Sequence, residues 1–197
     1  ITASREESTS YMNQTLPMRE SFDLIQRDLM IGERMASFYF INGLNKDDDM
    51  LKLMDALLKI KKEDMPAGIL QFMEMAIPYT EVELIEDFDQ VLKNLFSGVT
   101  CLFVDGYEGA IAIDCRTYPA RSVEEPDKDK SLRGSRDGFV ETVVSNTAMI
   151  RRRIRSEHLV MEMQEVGDSS RTDIAICYMK DRVNKEILCD LRQKVLS

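Results

Sequence analysis

The sequence predicts an α/β fold of two small mixed-sheet lobes with flanking helices, joined by a connector helix and loop. Residues 22–31 alternate loosely between apolar and polar side chains, and residues 35–41 are apolar and aromatic. With Gly32-Glu33 between them, this pattern is typical of two strands and a tight turn. Residues 47–62 then carry apolar side chains at helical spacing. The same strand-strand-helix pattern returns near the C-terminus, which indicates a second lobe.

The internal repeat is displaced by 139 residues. Residues 159–166 supply its first strand and residues 186–196 its helix. Six positions of the first copy match the second, and these are Met35, Ala36, Tyr39, Leu44, Asn45 and Lys46 against Ile174, Ala175, Tyr178, Val183, Asn184 and Lys185. The repeat predicts two related lobes. The alternative is that a common strand-strand-helix pattern has arisen twice.

This organisation divides the chain into three parts. We expect residues 1–19 to be a flexible lead-in, since they are polar and show no apolar periodicity. The first lobe is predicted over residues 20–78 and the second over residues 79–197. The second lobe includes a connector, residues 118–155, whose first part carries prolines and a charge run typical of an exposed loop.

Composition excludes several classes of function. The net charge of −9 argues against bulk binding to nucleic acid or to anionic lipid. No apolar run reaches the roughly 18 to 20 residues that a membrane span requires. The four cysteines have no CxxC spacing and only one histidine accompanies them, so we expect buried, reduced thiols and neither metal nor cofactor.

The connector is the first candidate site. Between residues 133 and 155 there are six arginines against two carboxylates, a local charge of +4. A helix is predicted over residues 139–154, with an apolar stripe through Phe139, Val143, Thr147, Ile150 and Ile154 and with arginines fanning out from one end. We expect ion pairs to the other lobe or to a neighbouring subunit, with anionic head groups second; the alternative is a solvated helix end. The candidate interaction residues are Arg133, Arg136, Glu141, Asn146, Arg151, Arg152, Arg153 and Arg155.

A second candidate site is the turn that contains Asp105, Tyr107 and Glu108. Together with Gly106 and Gly109 it predicts a tight turn between two strands, and its side chains are candidates for lining a ligand cleft. No partner acid, base or metal ligand stands at a recognisable spacing from it. The sequence therefore predicts no catalytic residues, and we interpret the chain as not an enzyme.

Several segments resemble the GerA family of spore-germination proteins. They are Tyr118-Pro119-Ala120-Arg121, Glu124-Glu125-Pro126-Asp127, residues 133–141, Asn146-Thr147-Ala148 and residues 151–155. Residues 171–178, Ser21-Phe22-Asp23 and Asn42-Gly43-Leu44 are most similar to an accessory branch of that family. The resemblance covers the chain from about residue 21 onwards.

The resemblance implies a role that residue patterns alone do not reveal. Family members have a soluble N-terminal region followed by transmembrane helices in the spore inner membrane. They act as subunits of nutrient receptors or of associated ion-conducting complexes. This chain would then be a cytosolic domain that ends before the membrane part, works in assembly or gating, forms homo-oligomers and contacts other germination subunits. The alternative is a germinant-binding module whose two lobes close on a nutrient.

Overall fold

The computed structural model describes residues 1–77, 81–118 and 138–196, which form six α-helices and seven strands. The helices are α1 (Arg5–Thr15), α2 (Asp47–Leu58), α3 (Ile69–Ala76), α4 (Phe88–Phe96), α5 (Val143–Arg153) and α6 (Lys185–Leu196). The strands are β1 (Leu24–Ile31), β2 (Arg34–Ile41), β3 (Val82–Ile85), β4 (Thr100–Val104), β5 (Ala110–Ile113), β6 (Leu159–Val166) and β7 (Thr172–Met179). This confirms the predicted α/β class.

The strands form a five-stranded sheet in the order β1-β2-β4-β5-β3 and a two-stranded sheet of β6 and β7. Every pairing between these strands is antiparallel. The predicted turn between β1 and β2 is confirmed, because Gly32 and Glu33 both adopt positive φ, at 52° and 71°. Two such residues match the twist of a tight hairpin.

Helices cover both faces of the five-stranded sheet. Because side chains alternate along a strand, Cys101 and Phe103 of β4 point to one face and Leu102 and Val104 to the other. The first face packs against α1, α4 and Ala148 of α5. The second face packs against α2 and α3. The result is a three-layer unit, called here the first unit.

The N-terminal residues correct one prediction. Instead of a flexible lead-in over residues 1–19, the chain forms α1, which begins at the cap residue Ser4. Met12 is 0% exposed and Leu16 is 3% exposed, both within the core that faces α4. The helix was missed because it buries one short stretch among polar residues and so lacks an apolar stripe.

The boundary predicted at residues 78/79 is also corrected. Strand β4 pairs with β2, and β5 joins β4 to β3, so the sheet runs across the predicted boundary. The second unit is therefore smaller than expected: β6, β7 and α6, called here the C-terminal unit. The strand-strand-helix pattern does occur in both units. Its turn has two residues in the first hairpin and five residues, 167–171, in the second.

Helix α5 lies between the two units. It packs against the first unit through Ala148 and also contacts β7. It is shorter than the predicted helix over residues 139–154, and Phe139 at the predicted start is 66% exposed. Its buried side chains are Thr147, Ala148 and Arg151, so Thr147 is the one member of the predicted stripe that is buried. The helix thus buries a narrow face of small side chains and one arginine.

Candidate functional site

The joint between the units begins where the chain before β1 runs along β6. The Phe22 N–H donates to the Met161 carbonyl at 2.9 Å. The Met161 N–H donates in return to the Ser21 hydroxyl at 2.9 Å. Because β1 follows immediately, one continuous segment pairs with the C-terminal unit and then enters the five-stranded sheet.

A buried ion-pair network, formed by Ser21, Asp23 and Arg151, closes this joint. The Arg151 side chain is 0% exposed and that of Asp23 is 1% exposed. Arg151 donates from Nε to Asp23 Oδ2 at 2.7 Å and from Nη2 to Oδ1 at 3.1 Å. The Ser21 hydroxyl donates to the same Oδ1 at 2.6 Å. This two-pronged geometry is the strong form of an arginine–carboxylate pair.

Arg151 also binds the segment that leads into β6 and the first residue of that strand. Nη1 donates to the Ser156 carbonyl at 3.0 Å, and Nη2 donates to the Leu159 carbonyl at 3.0 Å. The guanidinium also lies 5.6 Å from the ring centroid of Phe96 at the end of α4. A buried charge is tolerated only when it is paired and hydrogen-bonded, and here both conditions are met. One side chain therefore connects α5, the segment before β1 and the start of β6.

The position of α5 depends on a glycine. Gly43 has a φ of +84°, and a Cβ placed there would lie 3.0 Å from the Cβ of Ala148 and 3.1 Å from Val144 Cγ1. Glycine thus allows the turn after β2 to approach α5 closely. The small face of α5 fits against this turn and brings Arg151, one helical turn after Thr147, over Asp23.

The other predicted arginines have different surroundings. Arg152 stacks on Tyr118, with its guanidinium carbon 4.0 Å from the ring centroid. Arg155 donates from Nε to the Arg152 carbonyl at 3.2 Å. Arg153 is exposed, and Arg133 and Arg136 lie outside the described residues. The arginines therefore do not fan out as a group, because Arg151 turns into the core.

Asn146 and Glu141, two further predicted interaction residues, have different surroundings. Asn146 clamps the segment before α5, accepting from the Val140 N–H and donating to the Val140 carbonyl, both at 2.7 Å. Glu141 is exposed. Asn146 fixes how the chain enters α5, and Glu141 makes no comparable contact among the described residues.

The predicted cleft residues face different environments. Tyr107 is buried, and its hydroxyl donates to the Pro66 carbonyl. Asp105 and Glu108 are exposed on the turn, where Asp105 accepts from the Arg5 N–H. The turn itself is confirmed, but its three side chains do not converge on one cleft.

A cavity of about 410 Å³ lies instead between the two units. Its lining residues are Met18, Arg19, Glu20, Ser21, Phe22, Glu162, Met163, Tyr178 and Arg192. Arg192 of α6 donates to Glu162 Oε2 from Nη2 at 2.6 Å and from Nε at 3.0 Å. Burial raises the pKa of the Tyr178 hydroxyl. Three of the nine lining side chains, Met18, Phe22 and Met163, are apolar, and the other six are polar or charged.

A second group of charges surrounds the end of β5. The Arg116 guanidinium holds the pKa of the Asp114 carboxyl below its ordinary value by hydrogen bonding to it. These residues, with Lys46, Asp49 and Glu81, line a cavity of about 410 Å³. These charges largely form ion pairs with one another, so their clustering has a structural explanation.

Two of the four cysteines are buried as predicted, and the other two are not. The buried ones are Cys101 and Cys115, and burial raises the pKa of the Cys101 thiol to about 12. Cys177 and Cys189 are exposed, because a two-stranded sheet with one helix leaves part of its surface uncovered. All four are free thiols. Within residues 1–77, 81–118 and 138–196, no cluster of His, Cys, Asp or Glu could hold a metal, and no helix could span a membrane.

Sequence reasoning missed Asp23 and Ser21 as site residues. Two features of the sequence could have indicated them. Asp23 stands at the start of an apolar strand, and Arg151 stands on the helix face that carries Thr147 and Ala148. Each is an unusual choice for a buried position, and a buried charge needs a partner. Pairing them across 128 residues requires the fold.

The fold and the joint define an α/β domain of two unequal units tied together by a buried ion pair. A family model described as Bacillus/Clostridium GerA spore germination protein matches residues 10–197, and the chain belongs to this GerA family.

Curated relatives support the same assignment. Stage V sporulation protein AF of Bacillus subtilis (strain 168) is 36% identical over 193 residues, which are 97% of this chain and 39% of the relative. Spore germination protein KA of the same strain is 29% identical over 179 residues, 89% of this chain and 33% of the relative. The chain therefore spans well under half the length of these relatives.

A solved structure confirms the fold. The crystal structure of the N-terminal domain of the A subunit of the Bacillus megaterium spore germinant receptor GerK3 matches with a TM-score of 0.72 and 20% identity. The match covers 100% of this chain and 72% of that chain. The α/β architecture described above is thus that of a germinant-receptor N-terminal domain.

Proposed function

We propose that this chain is a cytosolic domain of a spore inner-membrane germination protein and acts in the assembly or gating of a germinant receptor or an associated ion-conducting complex. Other germination subunits are its partners, and it has no enzymatic role. The observation that carries this proposal is the buried ion-pair network. It makes the position of the C-terminal unit depend on the first unit through α5, the segment before β1 and the start of β6.

The network suits a coupling role for a physical reason. A buried ion pair contributes little net stability compared with apolar packing, but losing one partner costs several kcal/mol. The pair therefore permits a small number of well-defined arrangements of the two units. While the ion pair is intact, a movement imposed on one unit also moves the other unit. When the ion pair is broken, the two units move independently.

Replacing Ser21 with Ala in the full-length protein is expected to slow germination. The Ser21 hydroxyl contacts Asp23, Arg151 and the Met161 N–H, so its loss loosens the joint at a cost of about 1–3 kcal/mol. Germination would be followed in spores carrying equal amounts of each variant.

The matched control is Ser37→Ala. Ser37 is also a buried serine, and its hydroxyl donates to Asp28 at 2.6 Å and accepts from Arg5 at 2.7 Å, within the first unit. The proposal expects germination slower with Ser21→Ala than with Ser37→Ala. Equal rates for the two variants and the wild type would refute it.

The cavity between the units supports a second candidate function, a module that binds a small germinant. Arg19 and the pair of Glu162 and Arg192 provide charged groups beside Met18 and Phe22. A ligand held there would contact both units and so bias their arrangement.

Thermal denaturation tests this candidate. Amino acids, nucleosides, sugars and dipicolinate would each be added to the chain, and a ligand at 100 times its Kd adds about 2.7 kcal/mol to stability. A binder should raise Tm, and Phe22→Ala, which opens the cavity wall, should abolish the rise. No shift with any compound would eliminate this candidate and leave the coupling role in place.

A further inference from the structure

Strand β1 directs half of its backbone groups away from the sheet. It is the outermost strand of the five-stranded sheet, and β2 is its one partner among the described strands. The Asn42 N–H donates to the Asp23 carbonyl at 2.8 Å, so Asp23 and the odd-numbered residues after it point their backbone groups towards β2. The even-numbered residues point theirs outwards. Phe22, at the start of this series, accordingly donates outwards to Met161.

The open part of this edge, named here the β1 edge, consists of the backbone N–H and C=O groups of Gln26, Asp28 and Met30. No described residue forms a hydrogen bond with these groups. Exposed sheet edges are usually kept short, as the four residues of β3 are at the opposite edge, but β1 has eight residues. Tyr118, the last described residue before 119–137, bonds to Ser97 ahead of β4, at the end of the strands opposite the hairpin turn. The β1 edge is therefore a row of backbone donors and acceptors that an additional strand could pair with.

Helix α2 carries two apolar stripes, although a helix on a sheet needs one. Its core face consists of Met50, Leu53 and Leu57. The residue after each of these is also apolar, and the three form the outer stripe, Leu51, Met54 and Leu58. Leu51 is 66% exposed and Leu58 is 60% exposed. A step of one residue turns the outer stripe by about 100° from the core face, so it lies at the side of the helix.

The outer stripe faces the open side of β1. Helix α2 starts after Lys46, whose N–H donates to the Cys115 carbonyl, and the chain then reaches the hairpin turn, where Lys62 pairs with Glu33. On the way, α2 contacts β1. For a right-handed helix that runs in this direction on this face of the sheet, the turn of about 100° is towards the outer side of β1. A segment paired with the β1 edge would therefore also contact the outer stripe.

Arg27 provides a charge at the same edge. Alternation along β1 places Ile25, Arg27 and Leu29 on the face that α2 covers, and Leu29 packs against the core there. Arg27 is exposed and forms no ion pair with any described residue. Neighbouring strands place their side chains next to one another. The complementary strand would thus carry a carboxylate next to Arg27, with an apolar residue two positions away on each side.

We propose that the β1 edge binds an extended segment of another germination subunit, which adds a sixth strand to the sheet. The segment has alternating side chains, with apolar residues towards the outer stripe and a carboxylate beside Arg27. In strand addition of this kind, backbone hydrogen bonds provide affinity and alternate side chains provide specificity. The inference rests on the assembly role in the proposed function and names the surface and the chemistry of the partner.

Selection from a phage-displayed library of random peptides tests the proposal, with the wild-type chain as the target. Peptides of about nine residues are long enough to cover the edge. Selected peptides should alternate apolar and polar residues around a central Asp or Glu, and should bind with a Kd of about 100 µM or tighter. Methylating the peptide amides that face β1 should abolish binding, because the backbone bonds are then lost.

Met30→Pro is the variant that blocks the β1 edge. It removes an outward N–H and takes no donor from β2, and proline is tolerated on edge strands in this orientation. The selected peptides should bind this variant at least about tenfold more weakly than wild type. Met30→Ala is the matched control, since it shortens the same side chain but keeps the N–H, and it should bind as wild type.

Leu51→Gln with Leu58→Gln tests the outer stripe. This variant should weaken peptide binding about tenfold, because the apolar side chains of the peptide lose their contacts with α2. The control is Leu70→Gln with Met75→Gln, which changes two equally exposed apolar residues on α3 and should leave binding unchanged. Arg27→Gln should abolish the preference for a peptide with the central carboxylate over the same peptide with an amide.

Three outcomes would overturn the strand-addition proposal. They are a library that yields no binding peptide, selected peptides whose affinity Met30→Pro leaves unchanged, and binding that survives methylation of the peptide amides. Self-association lost in Met30→Pro, with no peptide selected, would assign the β1 edge to a second copy of the chain instead. The coupling role fails separately, on the germination rates of the Ser21 and Ser37 variants.

Discussion

Replacing Arg151 with Met is expected to lower the free energy of opening of the C-terminal unit by about 3–5 kcal/mol. The substitution keeps much of the side-chain volume but leaves Asp23 as a buried carboxylate without its cation. It also removes the donors to the Ser156 and Leu159 carbonyls. Urea denaturation monitored by circular dichroism measures the change, as a transition of the C-terminal unit that precedes unfolding of the five-stranded sheet.

Arg5→Met is the control for this effect. Arg5 also pairs with an aspartate, but its side chain is 17% exposed and that of its partner Asp28 is 40% exposed. Partly solvated pairs contribute about 1 kcal/mol or less. A loss for Arg151→Met no larger than that for Arg5→Met would show that the buried network is not the anchor described above.

Replacing Met12 with Ala is expected to destabilise the chain by about 2–5 kcal/mol. Met12 is fully buried by α1 packing on the sheet, so truncation leaves a cavity in the core. Gln14→Ala, at an exposed position on the same helix, should change stability by less than about 0.5 kcal/mol. Thermal or urea denaturation of both variants provides the comparison. Equal and negligible effects would mean that α1 is the flexible lead-in its sequence predicted.

The strands and helices with strong periodicity could be predicted from the sequence. The hairpin of β1 and β2, helix α4 and the turn through Gly106 all carry local signals that survive in the fold. Helix α1 could not be predicted in this way, because its polar sequence has no periodic stripe and its stability comes from packing.

The extent of the two units and the ion-pair network could not be predicted, because both depend on contacts between residues far apart in the sequence. The extent of the first unit follows from β4 lying between β2 and β5, and no local pattern encodes which strands pair. Arg151 was grouped with its arginine neighbours, because the predicted apolar stripe of that helix does not include it. Its burial follows from Asp23, which lies 128 residues away in the chain.

The family segments and the contacts of individual residues support different conclusions about this chain. The segments similar to the GerA family led to the assignment that the family match over residues 10–197 then established. They did not indicate which residues join the two units. Ser21 and Asp23 lie within one of the similar segments, and only their contacts with Arg151 and Met161 give them a role.

Amide hydrogen exchange on the Arg151→Met variant tests most directly whether the network couples the units. In the wild type we expect β6 and β7 to exchange with protection close to that of β4 and β5, because the units open together. In the variant, exchange of β6 and β7 should accelerate by about 100-fold or more, while β4 and β5 change far less. Equal acceleration in both sheets, or no change in β6 and β7, would contradict the account.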